Sequence, residues 1–318
     1  MRVREIAGVY GAECTGCADT AITTAAPLAA VAPGAITIVR DRHELEAALA
    51  AGAGAAFVPP GLAAAGRLPS AVICPDPLHR FLAFARLAAA RAELDDGIHP
   101  SAVVHPSAQL GTGVRIGPHC SVAREARIGS FTTLLEGARV RRGAAVGAAT
   151  VLRTGAVIGP RVTIGSSCDI GENAVVGSDH ARYEMGEQHW ERRAGDSSLA
   201  VADDVVIGPG TVVERGNAGG TAIAAGATIG GQVYVAHDVT VEPQTLIVAQ
   251  SGIASFSTIG RGAMILGRVG IVGSVRVGER ATICAGSTAW KDVPPASRVL
   301  GYPARPYFQA LRQLAAAK

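Results

Sequence analysis

From Ile98 to Thr288 the chain returns to the same pattern every six residues. Ile98-His-Pro-Ser-Ala-Val103 is followed by Val104-His-Pro-Ser-Ala-Gln109, Leu110-Gly-Thr-Gly-Val-Arg115 and Ile116-Gly-Pro-His-Cys-Ser121. Each block opens on Ile, Val or Leu nearly throughout, and its second position is often Gly or Ala. The register holds over 98–175, 201–212 and 223–288. A period of six is neither the 3.6 of a helix nor the two of a simple strand. A short repeat with a fixed aliphatic position marks a solenoid, and a six-residue unit is a β-helix unit. Each block then makes one side of a triangular coil, and three blocks make a turn. The aliphatic residue points inward and stacks on its counterpart in the next coil. About nine coils at the ~4.8 Å spacing of neighbouring strands predict a prism ~40 Å tall.

Composition fits a narrow interior. The chain is 48% apolar but only 4% aromatic, so Val, Ile and Ala rather than rings must fill it. Gly suits tight corners that need positive φ. No apolar run reaches membrane-spanning length, and Met1-Arg-Val-Arg-Glu5 lacks a signal-peptide core, so a cytoplasmic protein without a membrane span is expected. Of six cysteines, Cys14 and Cys17 alone have metal-like or redox-like spacing. No second pair follows, so reduced thiols in a loop are the expectation. The net charge of +3 is unevenly placed: residues 261–318 carry nine basic and two acidic side chains. A basic end favours an acidic partner.

Residues 1–97 lack the repeat. Ala35–Val39, Gly54–Val58 and Ala71–Cys74 read as strands, with helices near Arg42–Ala51 and Pro77–Ala92. That alternation predicts a small α/β domain. The repeat spans 98–288, broken by a charged stretch at 178–200, expected to project as a polar loop. A second break, 213–222, runs four residues too long, and such loops are often functional. Residues 289–318 form a tail with a short helix over Tyr307–Ala317, placed to cover the solenoid's open strand edge.

Prism interiors leave no room for chemistry, so reactive groups must point outward. His237 does so, at the third position of Val235-Ala-His-Asp-Val-Thr240. An imidazole can accept a proton near neutral pH, and Asp238 is placed to orient it. His99 and His105 read as edge and turn residues. A zinc enzyme on a similar prism needs three histidines converging on the metal, and His237 has no histidine within two coils.

The repeat resembles the left-handed β-helix of the hexapeptide acyltransferases. Ala236-His237-Asp238 is similar to the catalytic strand of the acyl-carrier-dependent acyltransferases of lipid A synthesis. Val213-Glu-Arg-Gly216 with Thr221 resembles the Ile-Asp-Arg-Gly…Thr loop of the UDP-3-O-acylglucosamine N-acyltransferase family, and Ala249-Gln-Ser-Gly-Ile-Ala-Ser255 its Ala-Gln-x-Gly-Ile-Ala-Gly segment. The implied fold is mainly β: a left-handed parallel β-helix with a small N-terminal α/β domain, uridine-binding-like, and a short C-terminal helix.

The resemblance implies an N-acyltransferase. His237 would be the general base, Asp238 its support, and the Ser255 backbone N–H an oxyanion donor. Glu214, Arg215, Gly216, Gln250, Ser274 and Asp41 would contact substrate. Arg261, Arg268, Arg276, Arg298 and Arg305 would hold an acidic acyl carrier protein, whose acyl-phosphopantetheine thioester is the donor, with coenzyme A as the other possible carrier. A homotrimer, a small-molecule amine acceptor, no permanently bound cofactor, no metal and no nucleic-acid partner complete the expectation. Several positions depart from the family. Its uridine-holding Phe, Asn and Tyr match Ile38, Asp41 and Glu44, its Gly-Phe-Gly-Tyr matches His180-Ala-Arg-Tyr183, and a second histidine matches Ser274. Competing readings are an acyltransferase acting on a non-UDP-sugar amine, and a non-catalytic β-helix binding protein.

Overall fold

Stacking of the inward aliphatic residues dictates the architecture of the larger part of the molecule. The structure, a computed structural model, describes residues 1–63, 67–179, 182–193, 198–302 and 305–316. It divides into two units, Met1–Asp95 and Asp96–Lys318. The second unit is a left-handed parallel β-helix with three faces. The first face runs from Gln109–Leu110 up to Arg276–Val277, the second from Arg115–Ile116 to Arg298–Leu300, and the third from Val103–Val104 to Thr288–Ala289. Each strand pairs in parallel with the strand one coil away. Val235, for example, lies between Val213 and Ile253. The second residue of each pair is the aliphatic one. Ile158, Ile170, Val213, Ile229, Val235 and Ile247 are all fully buried in one continuous core.

The corners carry the geometric cost. The fourth residue of a block, counted from the aliphatic one, adopts left-handed φ, as Gln232, Asp238, Gln244, Gln250, Phe256, Arg268, Ser274 and Arg280 do. Glycine was expected to fill these places and does so at Gly113, Gly226, Gly262 and Gly286. The others are taken by ordinary side chains, which tolerate the αL strain because the ladders above and below hold the backbone. Elsewhere glycine is needed for close approach. A Cβ on Gly147 would lie 2.4 Å from the carbonyl carbon of Gly165 in the next coil.

The breaks in the repeat differ from expectation. Within the stretch at 178–200, expected as a polar loop, Arg182–Met185 and Trp190–Arg193 pair as an antiparallel hairpin, and Leu199–Val201 is already back in the prism. The coil also runs past Thr288. Val293 bridges Val277, and Arg298–Leu300 pairs with Thr282–Ile283. Pro294 and Pro295 obscure the pattern, yet they follow the last rung of the first face, above which no described strand of that face pairs, so their missing N–H breaks no ladder bond.

The first unit holds a five-stranded sheet. Thr24–Ala25, Ala35–Ile38, Ala55–Val58 and Ser70–Ile73 are parallel, and Glu13–Gly16 is antiparallel at the edge. Helices α1 (Val3–Val9), α2 (Arg42–Ala50), α3 (Pro60–Ala63) and α4 (Pro77–Ala92) accompany it. Asp76 caps α4 by accepting the His79 N–H at 3.0 Å, with Pro77 at the first turn where its missing N–H is harmless. Helix α1 and the two edge strands were not expected; Glu13–Gly16 is largely exposed and shows no alternation to read. Helix α5 (Tyr307–Ala316) ends the second unit, with the Arg298 guanidinium 4.3 Å over the Tyr307 ring. All six cysteines are free thiols. Among the described residues no helix is long and apolar enough to cross a membrane.

The close coil contact at Gly147 predicts that Gly147→Ala destabilises the prism by about 1–3 kcal/mol. The thermal unfolding midpoint should fall by several degrees, whereas Ala145→Gly should have a smaller effect.

Candidate active site

His237 sits at the corner where the chain leaves the third face for the first. Val235 anchors it inward with no exposure, and Thr240–Val241 resumes the ladder. Its side chain is 13% exposed, and its Nδ1 lies 2.9 Å from Oδ2 of Asp238. Asp238 takes the left-handed corner position. Its carboxylate accepts backbone N–H groups from Asn217 at 2.9 Å, Ala218 at 3.0 Å, Gly219 at 2.8 Å and Gly220 at 2.9 Å. Its own N–H donates to Thr221 Oγ1 at 2.9 Å.

The 213–222 segment therefore does not project freely. It folds as a cup of N–H donors around one carboxylate. The turn closes tightly: a Cβ on Gly216 would lie 2.2 Å from Cα of Gly220. Burial works against ionising Asp238, but the hydrogen bonds from His237, Gly219, Asn217 and Ala218 override it and hold the carboxyl well below the usual carboxylate range. An ionised carboxylate can only accept. Nδ1 of His237 must then donate, which leaves Nε2 as the basic nitrogen.

Above His237 the third face is smooth. Gly252 and Gly270 occupy outward positions, and a Cβ on Gly252 would meet nothing within 4 Å. They leave room rather than relieve a clash. The result is an apolar groove of about 410 Å³, lined by Tyr234, Ala236, Gly252, Ala254, Ser255, Gly270 and Val272 among others. Ser255 lies one coil above His237 on the same corner, and no described residue accepts from its N–H. Trp290 follows Ala289 on the rung above Val272, 51% exposed and edge-on to Tyr302 at 5.4 Å. Phe256 meets the His237 ring edge-to-face at 5.2 Å.

The other expected residues divide. Ser274 lies on the His237 corner, two coils up, its N–H bonded to Ser255 O at 2.9 Å. Glu214 reaches the His237 backbone, Arg215 lies next to Glu214 in sequence, and both are buried, at 2% and 6% exposure. Arg215 is paired with Asp179, and burial, helped by nearby Arg161, lowers its guanidinium pKa. Gln250 is not brought to His237 within one chain. It occupies the corner between the second and third faces, between Gln232 at 3.1 Å and Arg268 at 2.8 Å.

The five arginines do not form one patch on a single chain. Arg276 is on the first face, Arg298 on the second, Arg261 and Arg268 at different corners, and Arg305 in the tail. Arg298 donates to Cys284 Sγ at 3.4 Å, and Arg305 to Gln313 at 2.6 Å. In the first unit Asp41 caps α2 by accepting the Glu44 N–H at 2.8 Å, and Glu44 is paired with Arg40, which holds its carboxyl low. His180 and Ala181 lie outside the described residues, and Arg182–Met185 forms the first strand of the hairpin. His99 and His105 close their own turns, each with Nδ1 2.9 Å from the hydroxyl of Ser101 or Ser107.

No family model matches the chain. Individual relatives do. The UDP-3-O-acylglucosamine N-acyltransferase of Methylobacterium nodulans is 38% identical over 120 residues, 38% of this chain and 34% of that protein. The enzyme of the same name from Bordetella pertussis is 31% identical over 235 residues, 71% of this chain and 65% of that protein. Over these stretches the chain is similar to the UDP-3-O-acylglucosamine N-acyltransferases. The match spans about a third of the length of the first relative and just under two thirds of the second. Among solved structures, an Arabidopsis UDP-N-acetylglucosamine acyltransferase superimposes with a TM-score of 0.61 at 27% identity, covering 69% of this chain and 77% of its own. The UDP-N-acetylglucosamine O-acyltransferase of Moraxella catarrhalis gives 0.53 at 26% identity, covering 68% and 77%.

Sequence reasoning missed Tyr234, Phe256 and the cup around Asp238. A count of blocks in threes would have found the common location, because Val176, Val213 and Val235 are the stacked inward residues of neighbouring strands on the third face. Asp238→Asn removes a charged acceptor whose hydrogen bonds are worth about 1.5–3 kcal/mol each. The amides of Asn217–Gly220 should then exchange with solvent at least ~10²-fold faster. In the unmodified protein the depressed carboxyl contributes stability fully present above its unfolded pKa of ~3.9 and lost only as pH falls through its lower folded value. Protection of those amides should therefore persist down to about pH 4.

Proposed function

We propose that the protein is an N-acyltransferase, moving an acyl group from the phosphopantetheine thioester of an acyl carrier protein, or of coenzyme A, to the amine of a nucleotide-linked amino sugar. The observation that carries this reading is the His237–Asp238 pair, fixed in one tautomer beside an apolar groove. The similarity to the relatives and the relatives' names support it.

The acceptor amine attacks the thioester carbonyl carbon while Nε2 of His237 takes its proton. The tetrahedral oxyanion forms within reach of the Ser255 N–H. Collapse breaks the C–S bond, and the imidazolium returns its proton to the leaving thiolate. The products are an amide and a free carrier thiol. Asp238 keeps its negative charge throughout and stabilises the imidazolium. The acyl chain lies along the third face above His237, and Trp290, three coils up and ~14 Å away at strand spacing, closes that path. Assembly as a homotrimer would set the Gln250 and Arg268 corner of one protomer against the groove of the next, and would gather the dispersed arginines around the mouth where an acidic carrier docks.

One observation favours a second acceptor class. Ile38, Asp41 and Glu44 stand where the family holds uridine, and Asp41 and Glu44 are committed to helix α2. An amine without a UDP group fits that first unit better than it fits the family's aromatic clamp.

His237→Ala should lower acyl transfer by about 10²–10⁴-fold without dissociating the oligomer. Thioester consumption with a panel of amines measures it. Near-normal turnover in the variant removes His237 from the mechanism, and no turnover by the unmodified protein with any donor favours a binding protein. Trp290→Ala should shift donor preference toward longer acyl chains in competition between thioesters; an unchanged preference removes Trp290 as the end of the groove.

A further inference from the structure

We propose that Glu214 is a positioning residue that fixes the base and one wall of the groove together, and is not a substrate contact. The inference rests on the reading of His237 given above. Glu214 follows Val213, whose coil neighbour is Val235, so it lies one rung below the histidine. Its Oε2 accepts the His237 backbone N–H at 3.0 Å, and its Oε1 accepts the Tyr234 hydroxyl. Both oxygens are thereby engaged, as a carboxylate with 2% exposure requires. An acceptor molecule has no surface of Glu214 to touch.

Tyr234 stands on the outer side of the third face, 43% exposed, and its ring lines the groove. One buried carboxylate thus ties the wall past which an acyl chain must lie to the main chain that carries the base. Asp238 holds the imidazole at Nδ1, while Glu214 holds the backbone beneath it. The two restraints act on different atoms of the same residue. The strand pairing of Val213 with Val235 leaves the His237 N–H just beyond the ladder, where no carbonyl of the coil below meets it. Glu214 supplies that missing acceptor. Glutamine can reproduce both contacts, its carbonyl accepting the His237 N–H and its amide donating to the phenol oxygen. Alanine can reproduce neither. A displacement of the base by about 1 Å lowers turnover by ~10²-fold.

The test compares Glu214→Ala, Glu214→Gln and Tyr234→Phe in the full chain, by steady-state kinetics and by hydrogen exchange of the His237 amide. Positioning predicts that Glu214→Ala lowers kcat by ~10²-fold with little change in acceptor KM, and that its His237 amide exchanges faster. Glu214→Gln should recover most of the lost turnover and restore the protection. Should the alanine variant not fold, Tyr234→Phe decides: a lower kcat at unchanged acceptor KM is expected from loosening the carboxylate. A raised acceptor KM at unchanged kcat in any variant overturns the proposal, as does unchanged His237 exchange in Glu214→Ala. Exchange reads the Glu214 contact without any acyl transfer, so failure of the positioning role and failure of the acyltransferase reading give different results.

Discussion

Every coil must bury one aliphatic residue per face and stack it on the residue in the coil below. The rest of the molecule follows from that constraint. With the interior filled by Val, Ile and Leu at near-zero exposure, polar chemistry is excluded from it. The corners must turn through left-handed φ once per block, and the outward positions of the faces are left to define surface shape. Function can enter at a corner, on a face, or by breaking the repeat.

Here it enters by all three routes at one edge. The hairpin at Arg182–Arg193, the cup at Asn217–Gly220 and His237 all leave the corner between the third and first faces, in neighbouring coils. The cup answers a problem that the corner creates. Asp238 sits in a strained backbone conformation with its side chain 4% exposed, and four N–H donors satisfy its charge. Asp238 in turn satisfies a turn whose N–H groups lie outside the ladder. The strain, the burial and the extra residues in the loop are one device, and its consequence is a histidine with a defined tautomer. On the adjoining face the device is complemented by absence of side chains: Gly252 and Gly270 make the groove by what they omit.

The six-residue period made the prism, its register and the outward place of His237 legible before any coordinates, because a period is a property of many residues at once. The helix over Pro77–Ala92 was legible for the same reason, with Asp76 and Pro77 marking its start. What escaped depended on single residues meeting across coils. Glu214 reads as a motif residue along the chain, yet its role comes from Tyr234 and His237, one turn later. Gln250 is only thirteen positions from His237, but the three-sided winding puts it on another corner. The arginines near the C-terminus cluster in sequence and disperse around the prism. Pro294 and Pro295 hid a further turn of the coil, because proline disrupts a sequence pattern even where it breaks no ladder bond.

The central claim is that Asp238 holds His237 with its proton on Nδ1 and its lone pair on Nε2. Nitrogen-15 chemical shifts of the His237 ring, measured at neutral pH on histidine-labelled protein and assigned with His237→Ala, test it most directly. The account predicts a protonated Nδ1 and an unprotonated Nε2, with the pattern lost in Asp238→Asn. A proton on Nε2 and a bare Nδ1 would contradict it.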